Sequence, residues 1–141
     1  MTVFVVDASV GLKWFLPEIH SEAAGRLRNP AFQLHVPGLF DVEIGNILWK
    51  RMRKRELNPM EAGAILTQLD LLPIIRHADA PLVRVAVDMA QEIGRTVYDC
   101  LYLALAVQIG GQMVTADERL FNSLSVYPLW ATSVLWIENI P

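Results

Sequence analysis

Short apolar runs that read as strands alternate with longer helical segments along this chain, and that alternation confines it to an α/β fold built on a parallel sheet. Strands are expected at residues 2–6, Gln33 to Val36, Leu72 to Arg76, Gln112 to Thr115 and Val134 to Ile137. Helices are expected from about Ser9 to Phe15, Ser21 to Arg28, Leu39 to Arg55, Asn58 to Leu69, Asp79 to Ile93, Thr96 to Ile109 and Asp117 to Leu124. The punctuation supports these limits: Asn58-Pro59 supplies a cap and a first-turn proline, while Gly94 and Gly110-Gly111 stop the two helices before them. A hydrophobic content of 53% over 141 residues suits a sheet covered on both faces, and the length fits one domain over residues 1–141.

Four carboxylates interrupt segments that otherwise read as buried. Asp7 ends the run Thr2-Val3-Phe4-Val5-Val6, which puts it at the carboxyl end of a strand, where open α/β sheets bind ligands. Glu43 lies in Val42-Glu43-Ile44, Asp99 in Tyr98-Asp99-Cys100-Leu101, and Asp117 follows Met113-Val114-Thr115-Ala116. Buried acids are costly unless a cation meets them, and no lysine or arginine recurs beside all four. A hard divalent cation is therefore the most economical partner.

Taken singly, the acids have ordinary explanations. Asp7 and Asp117 can cap the helices that follow them, although Ser9 is also a candidate for the first cap. Asp99 is harder to explain away, because Val97, Tyr98, Leu101, Tyr102 and Leu105 leave little solvated surface on its helix. Glu43 and Asp41 are two residues apart, a step of about 200° on a helix, so only one can face a site. Glu43, with Asn46 and Ile47 a turn later, is assigned to function, and Asp41 to the helix start that favours negative charge. Asp7 and Asp117 share the sheet's carboxyl edge if the strand order holds, and Ser9, Thr115 and Asn46 are supporting polar groups there.

Other chemistries fit less well. His20, His35 and His77 show no metal-ligand spacing and are placed in a turn, a strand and a loop; there is no nucleophile elbow and no phosphate-binding glycine loop. Cys100, the lone cysteine, sits beside Asp99 and would make a poor thiolate. A net charge of −3 carries no global signature of a nucleic-acid binder, yet Lys50, Arg51, Arg53, Lys54 and Arg55 concentrate positive charge at the end of the helix that bears Glu43. That cluster is a candidate polyanion-binding surface, with helix-dipole solvation or an acidic partner segment as the alternatives. Residues 1–7 lack a basic leader, and the longest apolar stretch, Cys100 to Val107, is far shorter than the ~20 residues a spanning helix needs. A cytoplasmic, membrane-free protein is expected.

With these residues in hand, the chain resembles the PIN-domain ribonucleases, in particular the VapC toxins of VapBC toxin-antitoxin pairs. The similar stretches are Val5-Val6-Asp7-Ala8-Ser9-Val10 with Lys13-Trp14-Phe15, Asp41-Val42-Glu43-Ile44-Gly45-Asn46-Ile47-Leu48-Trp49-Lys50, Tyr98-Asp99-Cys100-Leu101-Tyr102-Leu103-Ala104-Leu105-Ala106 and Thr115-Ala116-Asp117-Glu118-Arg119-Leu120. The resemblance implies an α/β/α sandwich with a central parallel sheet of about five strands. It implies Asp7, Glu43, Asp99 and Asp117 as a catalytic quartet around Mg²⁺ or Mn²⁺, with Asp7 and Asp99 as direct ligands and Glu43 and Asp117 acting directly or through water. It further implies an RNA substrate cut to leave a 5′-phosphate and a 3′-hydroxyl, a homodimer, and a VapB-like antitoxin. Two rival readings remain: a small phosphohydrolase of the haloacid dehalogenase type, although Ser9 stands where that class has a second aspartate, and a catalytically idle PIN-fold binding module.

Overall fold

The computed structural model describes all of residues 1–141. Its elements run β1 (Thr2–Val6), α1 (Ala8–Gly11), α2 (Ser21–Gly25), β2 (Phe32–Pro37), α3 (Leu39–Arg53), α4 (Pro59–Leu71), β3 (Ile74–His77), α5 (Val83–Ile93), α6 (Val97–Ile109), β4 (Gln112–Thr115), α7 (Glu118–Ser125), α8 (Pro128–Ala131) and β5 (Val134–Trp136). All five strands are parallel, in the order β3-β2-β1-β4-β5, with Val5 opposite His35 on one side and Met113 on the other. The expected α/β/α class with a five-stranded parallel sheet is what the chain forms.

The order explains where a site can lie. From β1 the chain moves outward through β2 to β3, then crosses back to the far side of β1 as β4 and β5. The connections leaving β1 and β4 therefore diverge from adjacent carboxyl ends, which opens a crevice at the switch point. Phe4, Val5 and Val6 are at most 1% exposed, as central strands covered on both faces must be. Helix α6 packs on β1, β2 and β4 and against α5, and its run Cys100 to Ala106 is buried throughout. That helix carries Asp99 and Tyr102 in its first two turns, so the most apolar helix delivers polar groups to the sheet edge.

Several boundaries differ from expectation for local reasons. The first helix starts at Ala8 and gives way to a 3₁₀ turn over Leu12–Trp14, because Asp7, not Ser9, is its cap. The second likewise tightens into a 3₁₀ turn at Arg26–Arg28. Helix α3 stops at Arg53, where Arg55 takes a left-handed φ of 58° and Glu56 N–H reaches back to the Arg51 carbonyl, a C-terminal motif made here without glycine. Strand β3 begins after Pro73, which has no N–H to give a ladder, and extends to His77, so that histidine is on a strand and not in a loop. Helix α8 falls in a stretch with no expected element.

Gly110 and Gly111 divide two tasks. Gly110, at φ 70°, ends α6, and Gly111 lets the start of β4 approach β1 so closely that a Cβ there would lie 2.7 Å from the Val3 carbonyl oxygen. Gly111→Ala is expected to destabilise the protein by about 1–3 kcal/mol through overpacking, measured as a lowered urea midpoint with an unchanged unfolding slope.

Candidate active site

Asp7 is the joint of the carboxyl edge. Its N–H donates to the Val114 carbonyl as the last rung between β1 and β4, and its carbonyl accepts from Val10 and Gly11 N–H to start α1. Its carboxylate accepts from Ser9 N–H at 3.3 Å and from the Ser9 hydroxyl at 3.2 Å, which fixes the side chain over the helix start. Thr115 Oγ1, fully buried at the end of β4, donates to Asp7 Oδ2 at 3.4 Å and accepts from Asp117 N–H at 3.0 Å. One hydroxyl thus links the loops after β1 and β4, and Ser9 and Thr115 both bond the Asp7 carboxylate.

The other acids arrive on helices. Glu43, one turn into α3, accepts from the Tyr102 hydroxyl of α6 at 2.5 Å. Asp41, on the other face, forms a two-pronged pair with Arg76 at 2.7 and 3.0 Å, so the two acids face different partners. Asn46 is exposed and hydrogen-bonds to none of the acids. Asp117 caps α7 through Leu120 N–H while its second oxygen accepts from Arg95 at 3.1 Å, and Arg95 lies 3.4 Å from Asp99. Asp99 has more solvent than its helix position suggested, because its neighbour Tyr98 points outward at 61% exposure.

Sequence reasoning gave no role to Arg95 or Tyr102. Arg95 is four residues before Asp99, the spacing of a helical ion pair, which is the signal that could have found it. Tyr102 is three residues after Asp99, a hydroxyl on an otherwise apolar helix face.

The electrostatics bind the four acids into one group. Burial pushes the Asp7 carboxyl from 3.8 up to about 7, opposed by the Ser9 N–H bond and reinforced by the charges of Glu43 and Asp99. Burial raises Glu43 too, with Tyr102 opposing and Asp99 adding. Asp99 is raised by burial, pulled back by Arg95 and pushed up again by Asp117. Burial first, and then the Asp7 charge and the Glu43 hydrogen bond, lift the Tyr102 phenol so far that it stays a donor. Asp7 and Glu43 have no basic side chain within ion-pair distance. Cys100 is buried and its thiol is pushed up to about 11, which makes it inert as expected.

The donor set fits a hard divalent cation: carboxylate oxygens and hydroxyls, partly dry, with excess negative charge. As the side chains stand, no three of the chain's carboxylates, histidines and cysteine are grouped closely enough to hold an ion. Their oxygens are engaged instead by Tyr102 and Arg95. The histidines belong elsewhere, His35 bonding His77 at 2.8 Å and His20 bonding Glu138 at 2.5 Å. A cavity of about 670 Å³ bounded by Trp14, Leu27, Phe32, Leu72 and Ile74 lies at the amino edge of the sheet, the end opposite the acids.

The model of the PIN domain family matches residues 4–126. Ribonuclease VapC3 of Pyrobaculum aerophilum is 38% identical over 118 residues, which cover 82% of this chain and 90% of that protein. A Mycobacterium tuberculosis protein also named Ribonuclease VapC3 is 31% identical over 116 residues, 82% and 83% of the two chains. Among solved structures, a Pyrobaculum aerophilum protein superposes with a TM-score of 0.73 at 24% identity over 97% of this chain and 85% of its own. A toxin-antitoxin complex from Klebsiella pneumoniae gives 0.63 at 15% identity over 96% of each chain. At these identities the structures speak for the fold.

The raised Asp7 carboxyl has a sign. Without a divalent cation, the unfolded chain ionises Asp7 near pH 4 and the folded one only near 7, so stability present at low pH is lost as pH climbs through that window. Asp7→Asn keeps the shape and a capping oxygen and removes this loss. In metal-free urea unfolding it should be more stable than wild type by about 1–3 kcal/mol at pH 8 and equal to it at pH 4.

Proposed function

The chain belongs to the PIN-domain family, in its VapC branch, and on that premise we propose that it is a metal-dependent endoribonuclease acting as the toxin of a toxin-antitoxin pair. The observation that carries the chemistry is the chain of mutual repulsion through Glu43, Asp7, Asp99 and Asp117 at the carboxyl edge of β1 and β4. A pocket that raises the carboxyls of Asp7, Glu43 and Asp99 calls for a cation and suits a polyanionic substrate only when one is present. Family membership sets aside the phosphohydrolase reading; the idle binding module remains as the alternative, and the intact quartet speaks against it.

In this reading Asp7 and Asp99 hold Mg²⁺ or Mn²⁺ directly, and Glu43 and Asp117 complete the pocket directly or through water. The ion, when bound, lowers the pKa of a water and neutralises charge that builds on the phosphodiester oxygens. The chain's own contribution is orientation: Ser9 and Thr115 fix the Asp7 carboxylate, and Tyr102 fixes Glu43. The named relatives are ribonucleases, and one structural neighbour is a toxin-antitoxin complex, which supports RNA as substrate and a VapB-like antitoxin as partner. A homodimer, a single PIN domain over 1–141 and a cytoplasmic site of action belong to the same proposal. No helix is long and apolar enough to cross a membrane.

Of the basic cluster at the end of α3, Arg51 is engaged by Glu18 and Glu56, and Arg53 lies over the Trp49 ring at 5.2 Å. Lys50, Lys54 and Arg55 are exposed and without an acidic partner, and they are proposed as the RNA-facing subset. The helix places this turn about 15 Å from Glu43, within the span of a few nucleotides.

Asp7→Asn and Asp99→Asn should each lower the Mg²⁺-dependent cleavage of end-labelled RNA by about 10²–10³-fold while the circular dichroism spectrum stays native. Cleavage near the wild-type rate in either variant would refute the quartet. Replacing Lys50, Lys54 and Arg55 together by Glu should weaken RNA binding and flatten its dependence on salt, with the slope of log K against log salt falling by about 1 for each phosphate the protein no longer neutralises. An unchanged slope would assign the cluster to solvation or to the antitoxin.

A further inference from the structure

Arg95 sits in the short connection Gly94-Arg95-Thr96 between α5 and α6, held there by the left-handed φ of 71° at Gly94 and by the Thr96 cap of α6. Its guanidinium makes no bond except to the site: Nη2 is 3.1 Å from Asp117 Oδ2 and 3.4 Å from Asp99 Oδ2. No backbone carbonyl anchors it, and its Nε is buried with no partner at all. The side chain is only 23% exposed, so a fixed positive charge spans two of the four acids from inside the crevice.

From this geometry we infer that Arg95 is an internal counter-ion of the metal-free protein, holding oxygens of Asp99 and Asp117 that a divalent cation at the proposed site would need, so that loading the site displaces it. The inference rests on the proposed metal site and adds a residue that governs it. One monovalent cation reaching two carboxylates relieves their repulsion, and a divalent ion offered the same oxygens must compete with it. Release is feasible because the guanidinium has no third anchor, and the unpartnered Nε regains water when it leaves. Arg95 is thus a positioning residue that sets the affinity for the ion without touching the reacting phosphate.

The test is Mn²⁺ titration calorimetry on the full chain for wild type, Arg95→Gln and Arg95→Lys, with RNA cleavage measured on the same wild-type samples. Arg95→Gln should bind Mn²⁺ about tenfold tighter than wild type and melt lower without metal, while Arg95→Lys, which keeps the charge, stays within about threefold of wild type. Arg95→Gln binding no tighter than wild type overturns the inference. Wild-type cleavage in that case shows that the nuclease reading survives; its absence shows that both fail. In the unmutated protein, the ¹⁵N-edited NMR signal of Arg95 Nε–H gives a second measurement. It should shift and exchange faster on saturation with Mg²⁺, and an unmoved, protected signal overturns the inference even if Arg95→Gln does not fold.

Discussion

One backbone position ties the ladder, the first helix and the anionic pocket together. Asp7 closes the pairing of β1 with β4 through its N–H, opens α1 through its carbonyl, and holds a carboxylate against Ser9 and Thr115. The residue cannot be moved without undoing a strand end and a helix start, so the acid is fixed as firmly as the sheet. That rigidity has an electrostatic cost, because burial and the neighbouring charges of Glu43 and Asp99 push this carboxyl up to about 7. The pocket therefore stores repulsion of a kind that a cation would release.

The partners around the pocket sort by reach. Thr115 and Ser9 are near Asp7 along the edge and orient it with hydroxyls, which add no charge. Tyr102 crosses from α6 to α3, and because its phenol is pushed upward it remains a donor to Glu43. Arg95 alone brings positive charge, and it reaches only Asp99 and Asp117. The result is asymmetric: half of the quartet is neutralised from within the chain, and the half at Asp7 and Glu43 is not.

Much of this was legible in the sequence where the signal is local. An apolar run ending in Asp7, the Asn58-Pro59 helix start, and the glycine stops at Gly94 and Gly110 each follow from a few adjacent residues. The turn per residue of a helix separated Glu43 from Asp41, and the structure gives each a different partner. What stayed hidden depends on pairs distant along the chain. Tyr102 and Glu43 are 59 residues apart, Arg95 and Asp117 are 22 apart, and nothing in composition or period brings them together. The basic run from Lys50 to Arg55 read as one patch partly for the same reason, since one of the two acids that engage Arg51, Glu18, is 33 residues away. Arg55 in a left-handed conformation lacked the glycine that usually marks such a helix end.

The four acids are proposed as one repelling group that a divalent cation relieves. Its most direct measurement is a pH titration of the side-chain carboxyl carbons by NMR, in the metal-free protein and again with saturating Mg²⁺. Asp7 is expected to titrate near 7 without metal and to move well down when Mg²⁺ is added, with Glu43 and Asp99 following in the same direction. An Asp7 that titrates near its ordinary 3.8 in both conditions would contradict it.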